Sequence, residues 1–67
     1  MIAILVNGQP HDVPENQTLL QLLEMLNLPT HGVAVAINSA ITSASKYGEQ
    51  ILHEGDKVEI IRAVGGG

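Results

Sequence analysis

Thr18-Leu19-Leu20-Gln21-Leu22-Leu23-Glu24-Met25-Leu26 is the stretch whose reading decides the fold. Leu19, Leu22, Leu23 and Leu26 recur at helical spacing and define one apolar face, with Gln21 and Glu24 lying away from its centre. Thr18 and Gln21 form a capping-box pattern: the Thr18 hydroxyl can accept from the backbone N–H three residues on, and Gln21 can reach back. Pro29 stops the helix, because it drives the preceding residue out of the α region. The spacing predicts one helix, from Thr18 to about Leu26, in a chain whose other elements are short strands.

On the N-terminal side, Met1 to Val6 is a β-branched apolar run and reads as a strand. Asn7-Gly8 follows, the strongest short hairpin signal, since a type I′ turn needs two residues at positive φ. Gln9 to Val13 is the return strand. Pro10 lacks a ladder donor, which places that strand at an edge. Pro14 to Gln17 is a loop. On the C-terminal side, Thr30-His31-Gly32 is a turn, Val33 to Asn38 is a strand, and Asn38-Ser39 turns the chain towards Ile41. Thr42 to Gln50 has no clear period. Ile51-Leu52 reads as a short strand, Glu54-Gly55-Asp56 as a turn, Lys57 to Ala63 as the last strand, and Gly65-Gly66-Gly67 as a bare tail.

One helix and four or five short strands do not make doubly wound layers. The economical arrangement is α+β: a mixed four- to five-stranded sheet wrapped around one main helix. Ile4, Val6, Val35, Ile37, Val58 and Ile60 are expected to face that helix and to be buried with its leucines. Apolar residues make up 45% of the chain, yet Phe and Trp are absent and Tyr47 is the one aromatic. The expected core is therefore Ile, Leu, Val, Ala and Met.

The chain has 67 residues, enough for one domain, with a net charge of −4. Lys46, Lys57 and Arg62 make no basic stripe, which argues against nucleic acid as a partner. The apolar opening is far below membrane-spanning length, so a membrane is not expected either, and the chain reads as cytoplasmic. There is no cysteine, hence no disulfide and no thiolate chemistry. His11, His31 and His53 are scattered without ligand spacing, so no metal site is expected. Glu54 and Asp56 flank a turn glycine and are explained first by turn chemistry. The acidic residues as a group read as solvated charges. Gly65 to Gly67 opens no helix, so it is not a phosphate-binding loop.

Taken in order, the Asn7-Gly8 hairpin, the leucine-rich helix from Thr18, Val35-Ala36-Ile37-Asn38, Gly55-Asp56-Lys57-Val58-Glu59-Ile60-Ile61 and the closing Gly66-Gly67 resemble the ThiS family. These are sulfur carriers of thiamin (thiazole) biosynthesis, β-grasp proteins of the ubiquitin superfamily. The resemblance covers the whole chain and divides it into a β-grasp domain, residues 1–64, and a flexible glycine tail, residues 65–67. It implies a protein cosubstrate with no catalytic residues and no bound cofactor. An E1-like adenylating enzyme would use ATP to activate the Gly67 carboxylate, conversion to a thiocarboxylate would follow, and thiazole synthase would take the sulfur. Gly66 and Gly67 correspond to the family's Gly-Gly end; Gly65 is a third glycine where the family needs two.

The residues suit that chemistry. An α-carboxylate is ionised at neutral pH and is a nucleophile towards an α-phosphate. Glycines without Cβ atoms can thread a narrow channel, and a side chain at Gly67 would crowd the carbonyl that sulfur attacks. If the first and last strands pair as in the β-grasp fold, Ala3, Leu5, Ile61 and Ala63 alternate outwards into an apolar partner-docking patch beside the tail. Two alternatives remain at this point: a small-subunit carrier of molybdopterin synthase, and a non-covalent ubiquitin-like interaction module. A protein-conjugating tag is a weaker third.

Overall fold

The computed structural model describes residues 1–29 and 32–62, and in it the Thr18 capping box closes from both sides. The Thr18 hydroxyl accepts from the Gln21 N–H at 3.2 Å, and the Thr18 N–H donates to Gln21 Oε1 at 2.9 Å. Helix α1 then runs Leu19–Met25. Leu19, Leu22 and Leu23 are fully buried, while Leu26, at the C-cap, is only partly so. The helix ends before Pro29 is reached. Asn27 takes a left-handed φ of 59°. Its N–H donates to the Glu24 carbonyl at 3.1 Å, and the Leu28 N–H donates to the Leu23 carbonyl at 2.9 Å. These paired bonds satisfy two carbonyls that a helix end otherwise leaves open, with Asn in the place glycine usually takes. Removing the N-cap should be felt at once. Thr18→Ala should cost about 1 kcal/mol and lower the unfolding midpoint by roughly 4–8 °C, read by thermal denaturation.

Around α1 lie strands β1 (Ile2–Val6), β2 (Gln9–Val13), β3 (Val33–Ile37), β4 (Ala40–Thr42) and β5 (Lys57–Arg62). They form one mixed sheet in the order β2-β1-β5-β3-β4. The first and last strands pair in parallel, and β5 pairs antiparallel with β3. β2 is an edge strand, where Pro10 leaves no ladder bond unmade. The Asn7-Gly8 turn has φ of 51° and 83°, the double positive φ of a type I′ turn. Asn38-Ser39 repeats the device between β3 and β4, with φ of 52° and 73°.

Ile4, Val6, Val35, Ile37, Val58 and Ile60 point inwards and are buried against α1, as alternation predicts. Three residues join them that the strand pattern did not identify: Val13, Leu52 and Tyr47. Tyr47 corrects the expected core composition, because the one aromatic is inside and, among the described residues, no Ala or Met belongs to the buried set; Met25 is 46% exposed. The Tyr47 hydroxyl donates to the Val33 carbonyl at a long 3.5 Å. The aperiodic segment that carries Tyr47, including a 3-10 turn at Ala44–Lys46, has a structural task. Leu19 N–H donates to the Gln50 carbonyl at 2.8 Å, and Leu20 N–H to the Tyr47 carbonyl at 2.9 Å. Donors at the start of α1 thus find partners across the chain. Ile51 makes a single bridge to Thr18 in place of the expected strand.

The expected Thr30-His31 turn, Ala63 at the end of the last strand, and the glycine tail lie outside the described residues.

Candidate functional site

Strand β5 precedes the C-terminal residues in the chain. Two turn asparagines hold it from opposite sides. Asn38 lies on the β3 side: its N–H donates to the Lys57 carbonyl at 2.8 Å, and its Oδ1 accepts from the Lys57 N–H at 3.0 Å. Asn38 Nδ2 also donates to Asp56 Oδ1 at 3.0 Å, and Asp56 Oδ2 accepts from the His53 N–H at 2.8 Å. Asp56 is therefore buried and bonded, not a solvated charge. Glu54 accepts from the Ala3 N–H at 3.1 Å, a bond to the far end of the chain and not one within its own turn. Asn7 holds the other side. Its N–H donates to the Val58 carbonyl at 2.8 Å, its Oδ1 accepts from the Ile60 N–H at 2.8 Å, and its Nδ2 donates to the Ile60 carbonyl at 3.2 Å. Sequence alone gives Asn7 and Asn38 a turn role only. Their second role joins positions far apart in the chain, which no local pattern reveals.

The outer sheet face carries three of the residues expected to dock. Ala3 and Ile61 are exposed and Leu5 is half-buried, all on the side away from α1. They do not form one patch. Leu5 stands level with Lys57 in the parallel pairing. Ile61 lies four positions further along β5, roughly 13 Å at the usual rise, and Ala3 lies in the opposite direction. Ile61, 66% exposed, instead faces Ala34 across the β3–β5 pair. Together with Gly32 and Val33 they line a shallow depression at the end of β5. A second depression, lined by Leu5, Asn7, Gly8, Lys57, Val58 and Glu59, lies at the start of β5. Further across the sheet, Ala36 pairs with Ile41, which is 76% exposed. Alternation along Val33–Ile37 was the available signal for Ala34 and Ala36; only the antiparallel register puts Ala34 beside Ile61. Lys57 and Glu59 also point outwards, so charge interrupts the apolar surface along β5. Among the described residues no cluster of His, Cys, Asp or Glu could hold a metal ion, and no helix is long and apolar enough to cross a membrane.

The sequence profile of the ThiS family matches residues 4–67. The chain belongs to the ThiS family. Relatives and solved structures agree. The chain is 33% identical over 64 residues to the sulfur carrier protein ThiS of Escherichia coli, covering 96% of this chain and 97% of that one. It is 39% identical over 62 residues to a thiazole synthase of Magnetococcus marinus, covering 92% of this chain but only 19% of that much longer protein. The crystal structure of a thiamine biosynthesis protein (ThiS) from Geobacter metallireducens superposes with a TM-score of 0.84 at 28% identity, covering 98% of this chain and 100% of that one. The mixed five-stranded sheet around one helix is thus the family's β-grasp fold.

Proposed function

We propose that this chain is a sulfur carrier of thiamin biosynthesis, a protein cosubstrate whose Gly67 carboxylate carries the sulfur. The observation that carries the reading is the family match from residue 4 to residue 67, which takes in Gly66 and Gly67. A carboxylate oxygen of Gly67 attacks the α-phosphorus of ATP on an E1-like adenylating enzyme, and pyrophosphate leaves. A sulfur nucleophile at the oxidation level of sulfide then adds to the acyl carbon and expels AMP, leaving a thiocarboxylate. Thiazole synthase is the acceptor. The names of the relatives favour that client over molybdopterin synthase. ATP is bound by the partner and not by this chain, and its use suits a cytoplasmic setting. The net charge of −4 suits a partner with a positive surface. The test is pyrophosphate release by the activating enzyme with ATP: release that depends on added carrier supports the reading, and release indifferent to it refutes it.

In this reading Ile61, exposed near the end of β5, docks against the activating enzyme. Ile61→Asp should leave the domain folded, since surface changes usually cost within about 0.5 kcal/mol, or about 1 kcal/mol in a strand. A carboxylate buried against a partner without a counter-charge should raise the carrier's KM by about tenfold or more. Thermal unfolding and steady-state activation kinetics on the same variant check this. An unchanged KM would show that the activating enzyme does not use Ile61.

A further inference from the structure

We propose that Asn7 is a positioning residue for activation of the C-terminus, acting through the backbone of Ile60. The proposal rests on the carrier reading above. Pairing between β1 and β5 ends at Val6 and Val58, while β5 continues to Arg62 with β3 on its other side. From there the Asn7 carboxamide takes the place of a strand neighbour. One group supplies both an acceptor and a donor, to the N–H and the carbonyl of the same residue, at 2.8 and 3.2 Å. The left-handed φ of 51° at Asn7 accompanies this reach, and Asn is among the few residues that adopt it readily. The hairpin turn therefore does two things: it closes β1 on β2, and it fastens the end of the strand that leads to Gly67.

The consequence for the reaction follows from tethering. The effective concentration of a tethered group falls roughly as the −3/2 power of tether length, and misplacement of a reacting atom by about 1 Å can cost about 100-fold. With Asn7 removed, β5 is held beyond Val58 from the β3 side alone. The strand keeps its β3 partner through Arg62 but loses its second attachment at Ile60, so its last residues gain play and the carboxylate meets the α-phosphorus less often in line. Ile61 and Ala34, which line the depression at the other end of β5, are unchanged, so the loss belongs in kcat and not in KM.

The experiment compares three variants in carrier-dependent pyrophosphate release, well below each unfolding midpoint. Asn7→Gly keeps the positive φ and removes both side-chain bonds. Asn7→Asp keeps the acceptor and loses the donor, and it serves also if the Gly variant does not fold. Asn38→Gly is the control: it removes one side-chain bond to Lys57, the first residue of β5, and one to Asp56 just before it, leaving Ile60 untouched. The expected result is kcat lowered about threefold to tenfold for Asn7→Gly, an intermediate loss for Asn7→Asp, KM within about twofold of the parent, and Asn38→Gly close to the parent in both. Amide exchange at Ile60 should quicken in Asn7→Gly. Equal kinetics for Asn7→Gly and Asn38→Gly, or a loss confined to KM, would overturn the proposal. Failure of the parent chain itself to support release refutes the carrier reading instead, and is told apart by that arm alone.

Discussion

Leu23→Ala lowers the stability of the domain by about 2–5 kcal/mol. Leu23 is fully buried in the middle of the α1 face, among Leu19, Leu22 and the inward residues of the sheet. Truncation removes the transfer energy of the lost methyl groups and leaves a cavity that a helix fixed at both caps cannot easily close. A domain of this length has roughly 3–10 kcal/mol in total, at about 0.05–0.15 kcal/mol per residue. The upper end of the expected cost would therefore leave much of the protein unfolded at 25 °C. Urea titration measures it, with Met25→Ala as the comparison, since Met25 on the same helix is 46% exposed. A cost for Leu23→Ala as small as that for Met25→Ala would mean that the apolar face of α1 has been assigned to the wrong side.

Deleting Gly66 and Gly67 should have the opposite profile: sulfur loading abolished, stability almost unchanged. The two residues have no side chains, and the buried core residues lie between Ile4 and Ile60. Their loss shortens the reach of the carboxylate, which then belongs to Gly65. Thermal unfolding within a degree or two of the parent, together with no carrier-dependent consumption of ATP, is the expected pair of results. A truncated chain that still gains sulfur would show that the C-terminal glycines are not the carrying site.

Much of the fold was legible because its decisive signals are local. The Asn7-Gly8 turn, the Thr18–Gln21 capping box and the alternation of strands β1, β3 and β5 each follow from residues a few positions apart. What escaped was non-local. Tyr47 and Leu52 lie in stretches without a period, and their burial is decided by the docking of that segment on α1. Asn27 ends the helix ahead of Pro29 through bonds that Pro29 obscured, because proline is the louder stop signal. At the site, alternation correctly turned Ala3, Leu5 and Ile61 outwards. Whether they touch depends on the register between β1 and β5, and a parallel register has no turn to announce it. The slide of β5 past β1 separates Ile61 from Ala3 and gives it Ala34 as a neighbour.

The central claim is that Gly67 carries the sulfur, and mass spectrometry of the whole chain tests it most directly. The carrier is incubated with the activating enzyme, ATP and a sulfide-level donor, and its intact mass is measured before and after, with fragmentation to locate any change. The account predicts a mass increase equal to one sulfur in place of one oxygen, found on the fragment that contains Gly67 and absent when ATP is omitted. An unchanged mass in the presence of active enzyme, or a sulfur located elsewhere in the chain, would contradict it.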